Sequence, residues 1–252
     1  TDTTTVDASA YKGVLTMTAG SATAMTVSAN GTVTNTITTS TGSDTVTLVG
    51  NLGTTVNDIS ASTGTLDTLN ATANNAATDF TSVDGFETIN LTIANSATAG
   101  FNDGTKDDGL NAATTVNILG GNSLSTFTVG TAASFGVASA ADVVNASSFN
   151  GTVDLTFANA ALNSFMTVTG GASTTDTVRT TVSTTLTGAK VAGLTGIETL
   201  VVTSTNNETA SSAIDLTNVT GLVTLDAQFA TNTNADIITI NNLASGVNVK
   251  VT

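Results

Sequence analysis

The sequence predicts an all-β protein with an extended β-helix or β-solenoid-like repeat architecture; stacked β-sandwich modules are the alternative. Three observations lead there. Apolar and polar residues alternate with period two over most of the chain. Short motifs recur in a fixed order. The side chains available for a core are small or β-branched: roughly a quarter of the residues are Thr, which with Val and Ile is stiff at χ1 and favours pleated chain.

Taken in order, the alternating runs are Val14-Leu15-Thr16-Met17, Thr32 to Ile37, Asp44 to Val49, Thr88 to Ile93, Val153 to Phe157, Thr199 to Val202, Leu222 to Leu225 and Ile237 to Ile240. Each reads as a strand with one buried face. Clusters such as Ala29-Asn30-Gly31 and Gly120-Gly121-Asn122 lie between them and supply turns. The Ala-rich stretch Asn70 to Ala77 is too short and too rich in Asn for a stable helix.

The repeat is degenerate but ordered. Asp7-Ala8-Ser9-Ala10-Tyr11-Lys12-Gly13 is echoed by Asn145-Ala146-Ser147-Ser148-Phe149-Asn150-Gly151, and Met25-Thr26-Val27 by Met166-Thr167-Val168. Asp44-Thr45-Val46 then matches Asp176-Thr177-Val178, and Gly85-Phe86-Glu87-Thr88-Ile89 matches Gly196-Ile197-Glu198-Thr199-Leu200. Two diverged copies, about residues 7–93 and 145–204, account for this, with a fainter third at Gly221-Leu222-Val223-Thr224-Leu225. The expected division is a first β unit over residues 1–110 and a second, with the partial third copy, over 111–252. Met25 to Asp44 is 19 positions and Met166 to Asp176 is 10, a difference of nine, which hints at the nonapeptide step of a calcium-binding β-helix.

Composition narrows function. The net charge of −14, from 19 acidic and 5 basic residues, opposes nucleic acid and anionic lipid and favours divalent counter-ions. No His and no Cys leaves no His-based triad, thiol nucleophile or typical zinc site. A single Tyr, no Trp and few basic residues argue against a sugar-hydrolysing cleft, so no enzyme is expected. No run approaches the ~18 apolar residues of a membrane span, so no membrane insertion is expected. A start at Thr1 and a strand-like run at Asn248-Val249-Lys250-Val251 are what an internal piece of a longer polypeptide would show.

The segment Gly42-Ser43-Asp44-Thr45-Val46, the downstream Gly-Phe-Glu-Thr-Ile and Gly-Ile-Glu-Thr-Leu strands and Asp7-Ala8-Ser9-Ala10-Tyr11-Lys12-Gly13 together resemble the type-I-secreted, RTX-like surface-layer proteins of Gram-negative bacteria. That resemblance implies an extracellular location on the bacterial cell surface, calcium binding and self-assembly into a lattice. It also implies contacts with other surface proteins or cell-surface polysaccharide. Giant adhesins and biofilm-matrix fibres share these stretches, which makes an adhesin or matrix repeat the alternative.

Calcium candidates follow from the resemblance. Asp44 keeps the Gly-x-Asp-x-Val half of the nonapeptide, and Asp176 follows the paired Gly170-Gly171. Both aspartates could instead cap turns through hydrogen bonds. Asp103, Asp107 and Asp108, in Asn102-Asp103-Gly104-Thr105-Lys106-Asp107-Asp108-Gly109, form the densest acidic loop and would share an ion or lie solvated. Glu87 and Glu198, at matching positions, would face outward, accept backbone hydrogen bonds or ligate calcium.

Overall fold

The computed structural model describes residues 4–20, 23–52, 57–62, 64, 66–74, 77–79, 83–100, 114–129, 143–157, 162, 166–205, 211–230 and 237–252. The chain winds into a β-solenoid of about 8 turns in which every described strand pair is parallel.

A nine-stranded sheet stacks Thr5–Ala8, Thr26–Asn30, Thr45–Asn51, Thr68–Ala73, Thr88–Ile93, Thr115–Gly120, Val143–Phe149, Thr167–Thr169 and Leu194–Thr195. An eight-stranded sheet stacks Ala77–Asp79, Ala97–Gly100, Thr126–Val129, Thr152–Phe157, Thr177–Val182, Thr199–Ser204, Thr224–Phe229 and Asn248–Val251. A four-stranded sheet (Thr16–Thr18, Thr36–Thr38, Asp58–Ser60, Val83–Asp84) and a three-stranded one (Thr185–Leu186, Ser211–Asp215, Ile237–Asn241) complete the circuit. A single turn of helix, Gly188–Val191, departs from strand.

Register explains the composition. In the nine-stranded sheet Val6, Val27, Val46, Leu69, Ile89, Val116, Val144, Val168 and Leu194 form one inward column. Their outward neighbours are mostly Thr on one side and Asp, Ser, Thr or Asn on the other, so period-two alternation puts aliphatic side chains inside and largely polar ones outside. The core is one cluster running from Met25 to Ala227, and each fully buried aliphatic side chain contributes about 1.5–3 kcal/mol. Stability is therefore spread along the stack in nearest-neighbour contacts.

Strands on either side of residue 110 pair directly, Ile89 beside Val116 and Leu91 beside Ile118. Residue 110 itself lies outside the described residues. Some expected strands start late. The run from Thr32 reaches strand only at Thr36, because Asn30 Oδ1 accepts the backbone N–H of Thr32 at 3.0 Å and its hydroxyl at 2.7 Å, turning the chain first. Asn70 to Ala73 belongs to a strand.

The two sequence copies sit differently on the stack. Asp7 and Asn145 occupy the same outward column, and each accepts the N–H of the residue two positions on. Asp44, however, opens a strand of the nine-stranded sheet and Asp176 one of the eight-stranded sheet. Side chains linked across neighbouring coils are 19 to 28 residues apart. The nine-residue difference is thus less than half a coil: it moves a motif from one face to another, and it is not an added nonapeptide step.

Candidate functional site

At each coil corner a backbone N–H just ahead of a strand needs an acceptor. At several corners the next coil supplies it with a side chain. Met25 donates its N–H to Asp44 Oδ1 at 2.7 Å, Asp44 donates its own to Asp67 Oδ1 at 2.6 Å, and Asp67 donates to Glu87 Oε2 at 2.6 Å. The residues that follow close the ladder by backbone bonds: Thr45 to Met25 O, Thr68 to Asp44 O and Thr88 to Asp67 O. Asn35 and Asn57 repeat the device beside the four-stranded sheet, accepting from Leu15 at 3.3 Å and Asn35 at 3.2 Å.

A second carboxylate ladder precedes the eight-stranded sheet. Asp176 accepts the N–H of Val153 on Oδ1 at 2.9 Å and that of Gly171 on Oδ2 at 2.6 Å, while its own N–H donates to Glu198 Oε2 at 2.9 Å. The glycine ahead of each glutamate holds positive φ, 78° at Gly85 and 61° at Gly196, and Gly221 of the third copy does the same at 81°. A Cβ on Gly85 would also sit 2.4 Å from the Ala61 carbonyl oxygen, so this corner is closed to other residues.

Asp44, Asp67 and Asp176 are all fully buried. Burial raises the Asp67 carboxyl above the ordinary carboxylate range; the hydrogen bond from Asp44 N–H works against this, and the charges of Glu87 and Asp44 add to it. Its Oδ2 has no hydrogen-bond partner among the described residues. Burial likewise raises Asp176, opposed by the Val153 and Gly171 N–H groups and reinforced by Glu198.

Calcium takes six to eight oxygen ligands. Asp44 is instead met by Met25 N–H on Oδ1 and by the Ser40 hydroxyl, 2.9 Å from each oxygen. Asp176 is met by N–H groups on both oxygens. Donors meet these carboxylates in the capping arrangement. Among the described residues no group of three or more acidic side chains is placed to hold a metal ion. Asp103, Asp107 and Asp108 lie outside the described residues.

Three groupings were not evident from the sequence. Asp67 joins the first carboxylate ladder, and its signal is Asp67-Thr68-Leu69, the Asp-Thr-aliphatic pattern of Asp44 and Asp176. The second is an asparagine ladder on the outer face of the nine-stranded sheet: Asn90 donates to Asn70 at 2.8 Å, Asn117 to Asn90 at 2.8 Å and Asn145 to Asn117 at 3.4 Å. Its signal is the recurring Thr-x-Asn of Thr68, Thr88 and Thr115.

The third lies on the outer face of the eight-stranded sheet, where Arg179 holds Asp154 through Nε at 2.6 Å and Nη2 at 2.8 Å, and Lys250 reaches Asp226 at 3.1 Å. The bond to Asp154 raises the Arg179 guanidinium. Burial opposes ionisation of Asp226, but Lys250 and Gln228 outweigh it and bring the carboxyl below its ordinary value.

No protein-family model, curated protein or solved structure matches the chain.

Proposed function

We propose that the chain is a structural module of an extracellular bacterial surface lattice, assembling with copies of itself and with calcium as counter-ion, and that it has no catalytic role. One observation carries the reading: the described chain is a continuous solenoid whose polar side chains are spent on holding neighbouring coils together. Buried carboxylates cap backbone, and asparagines bond to asparagines. The sequence resemblance to RTX-like surface-layer proteins supports the same reading.

Calcium enters through the net charge of −14, which makes copies repel until cations neutralise or bridge them. Asp103, Asp107 and Asp108, together with Asp44 and Asp176, are the residues that would take it. Electron microscopy of the purified chain with millimolar calcium and with chelator tests the proposal. Ordered two-dimensional arrays that dissolve on chelation are expected. Dispersed particles in both conditions, with binding to a cell or glycan as a monomer, would favour the adhesin alternative.

A further inference from the structure

Charge is distributed unequally between the two large faces. Past the first strand with its Asp7, the eight remaining strands of the nine-stranded sheet, Thr26–Asn30 through Leu194–Thr195, contain no Asp, Glu, Lys or Arg. The eight-stranded sheet carries Asp154, Arg179, Asp226 and Lys250 within its strands. In a chain with a net charge of −14, the outer face of the nine-stranded sheet is thus a neutral field of Thr and Asn.

Two further features distinguish that field. The asparagines already bond along the stack through one amide hydrogen each, which fixes their orientation and leaves a second N–H and a carbonyl lone pair for another molecule. Side chains fixed beforehand lose little entropy on docking. In the middle of the field lies a depression lined by Thr47, Asn70, Thr72, Asn90, Thr92 and Leu119. Val49 protrudes next to it, 44% exposed.

We propose that this neutral face is a docking surface for the same face of a second copy of the chain, a contact that needs no calcium. The inference rests on the assembly reading above and names the surface that would begin it. Amides are donor and acceptor at once, so a two-fold arrangement satisfies both partners with one set of residues. The eight-stranded face, by contrast, presents the charged pairs Asp154–Arg179 and Asp226–Lys250, which would have to be desolvated on docking. Eight strands at about 4.8 Å spacing, six with three outward residues, one with two and one with one, give a face roughly 34 Å long that narrows from about 15 Å at its last two strands. A pair therefore buries somewhat under about 1,000 Å², the range of a weak, transient contact. The contact is accordingly weak and reversible.

Sedimentation velocity of the full chain over a concentration series, in chelator and about 1 M salt to shorten the Debye length to about 3 Å, tests it. A reversible dimer is expected. Asn90→Asp and Thr92→Asp should each weaken it at least about tenfold by facing like charges across the axis, and Thr181→Asp on the other face should leave it unchanged. Thr92 lies outside the asparagine ladder, so its variant decides the matter should Asn90→Asp fail to fold by circular dichroism.

A dimer insensitive to both aspartates overturns the proposal. So does a wild type that associates only when calcium is added, which would leave the lattice reading standing on cation bridges alone. Monomers in chelator and in calcium would overturn both readings, and retention of such monomers on a neutral polysaccharide matrix would assign the face to a glycan.

Discussion

The two carboxylate ladders use one device at different densities. Asp44, Asp67 and Glu87 follow one another over three consecutive coils, so the central Asp67 has a carboxylate above and below it and an Oδ2 with no hydrogen-bond partner among the described residues. The second ladder has two acids, and both oxygens of Asp176 receive backbone N–H groups; Val223, at the glutamate position of the third copy, ends it. A carboxylate is thus a good corner cap when its oxygens are matched by donors. It becomes a liability when a third is stacked beside it.

Removing the better-matched cap should have the largest effect. Asp176→Ala leaves the buried N–H of Val153 and the part-buried N–H of Gly171 without an acceptor, a loss of about 2–6 kcal/mol at 1–3 kcal/mol per orphaned group. Asp44→Ala should cost less, because Ser40 already has a second acceptor in Thr23 O at 3.0 Å. Urea unfolding midpoints of the two variants give the order, and equal losses would show that the donors at Asp44 matter as much.

Asp67→Asn should act in the opposite direction. The amide oxygen still accepts from Asp44 N–H, the repulsion from Asp44 and Glu87 disappears, and the new NH₂ replaces an oxygen with no hydrogen-bond partner among the described residues. A gain of about 1 kcal/mol, or roughly 2–4 °C in Tm, is expected at neutral pH. A lower Tm would mean that Asp67 is worth more charged than neutral.

A smaller effect comes from pH. Asp67 and Asp176 have folded pKa values raised above the unfolded value of about 3.9, so the folded state holds more protons and their contribution is present below that value and lost as pH rises through the folded ones. Asp226 and Asp215 act oppositely. Asn242 and Thr217 bring Asp215 down to about 2, and what these two contribute is held at higher pH and lost as pH falls through their lowered values. Thermal melts should therefore show Tm rising as pH falls through the raised values of Asp67 and Asp176, with a shallower rise in Asp67→Asn.

The smallest effect belongs to Glu198→Gln, which keeps an acceptor for Asp176 N–H and removes one charge. Stability should move by less than about 0.5 kcal/mol. The titration of Asp176, followed by carboxyl carbon NMR, should shift to lower pH.

Much of this arrangement is legible in the sequence, and the missing parts share a cause. Gly85-Phe86-Glu87 and Gly196-Ile197-Glu198 are recognisable as one corner because a positive-φ glycine, a buried apolar residue and an acid must follow in that order. Asp44 and Asp176 stand out through the same local grammar. Which coil each acid reaches is not local: Asp67 acquires its neighbours from positions 23 before and 20 after it. Asn90 lies in an expected strand and Asn70 in a stretch read only as too rich in Asn for a helix, and only the parallel register turns them, with Asn117, into a ladder. The face each motif occupies depends on the summed length of earlier corners, so Asp44 and Asp176 look equivalent in sequence yet open different sheets.

The parallel register has a mechanical consequence. Strands stacked on one another place their inter-coil hydrogen bonds along the axis, so a pull on the two ends would load the coils in series and not all at once. Each coil that peels away frees roughly 20–28 residues, or about 70–95 Å of extended chain, before the next coil takes the load. Under tension the molecule would lengthen in steps of that size, absorbing work one coil at a time while the remaining stack keeps its register.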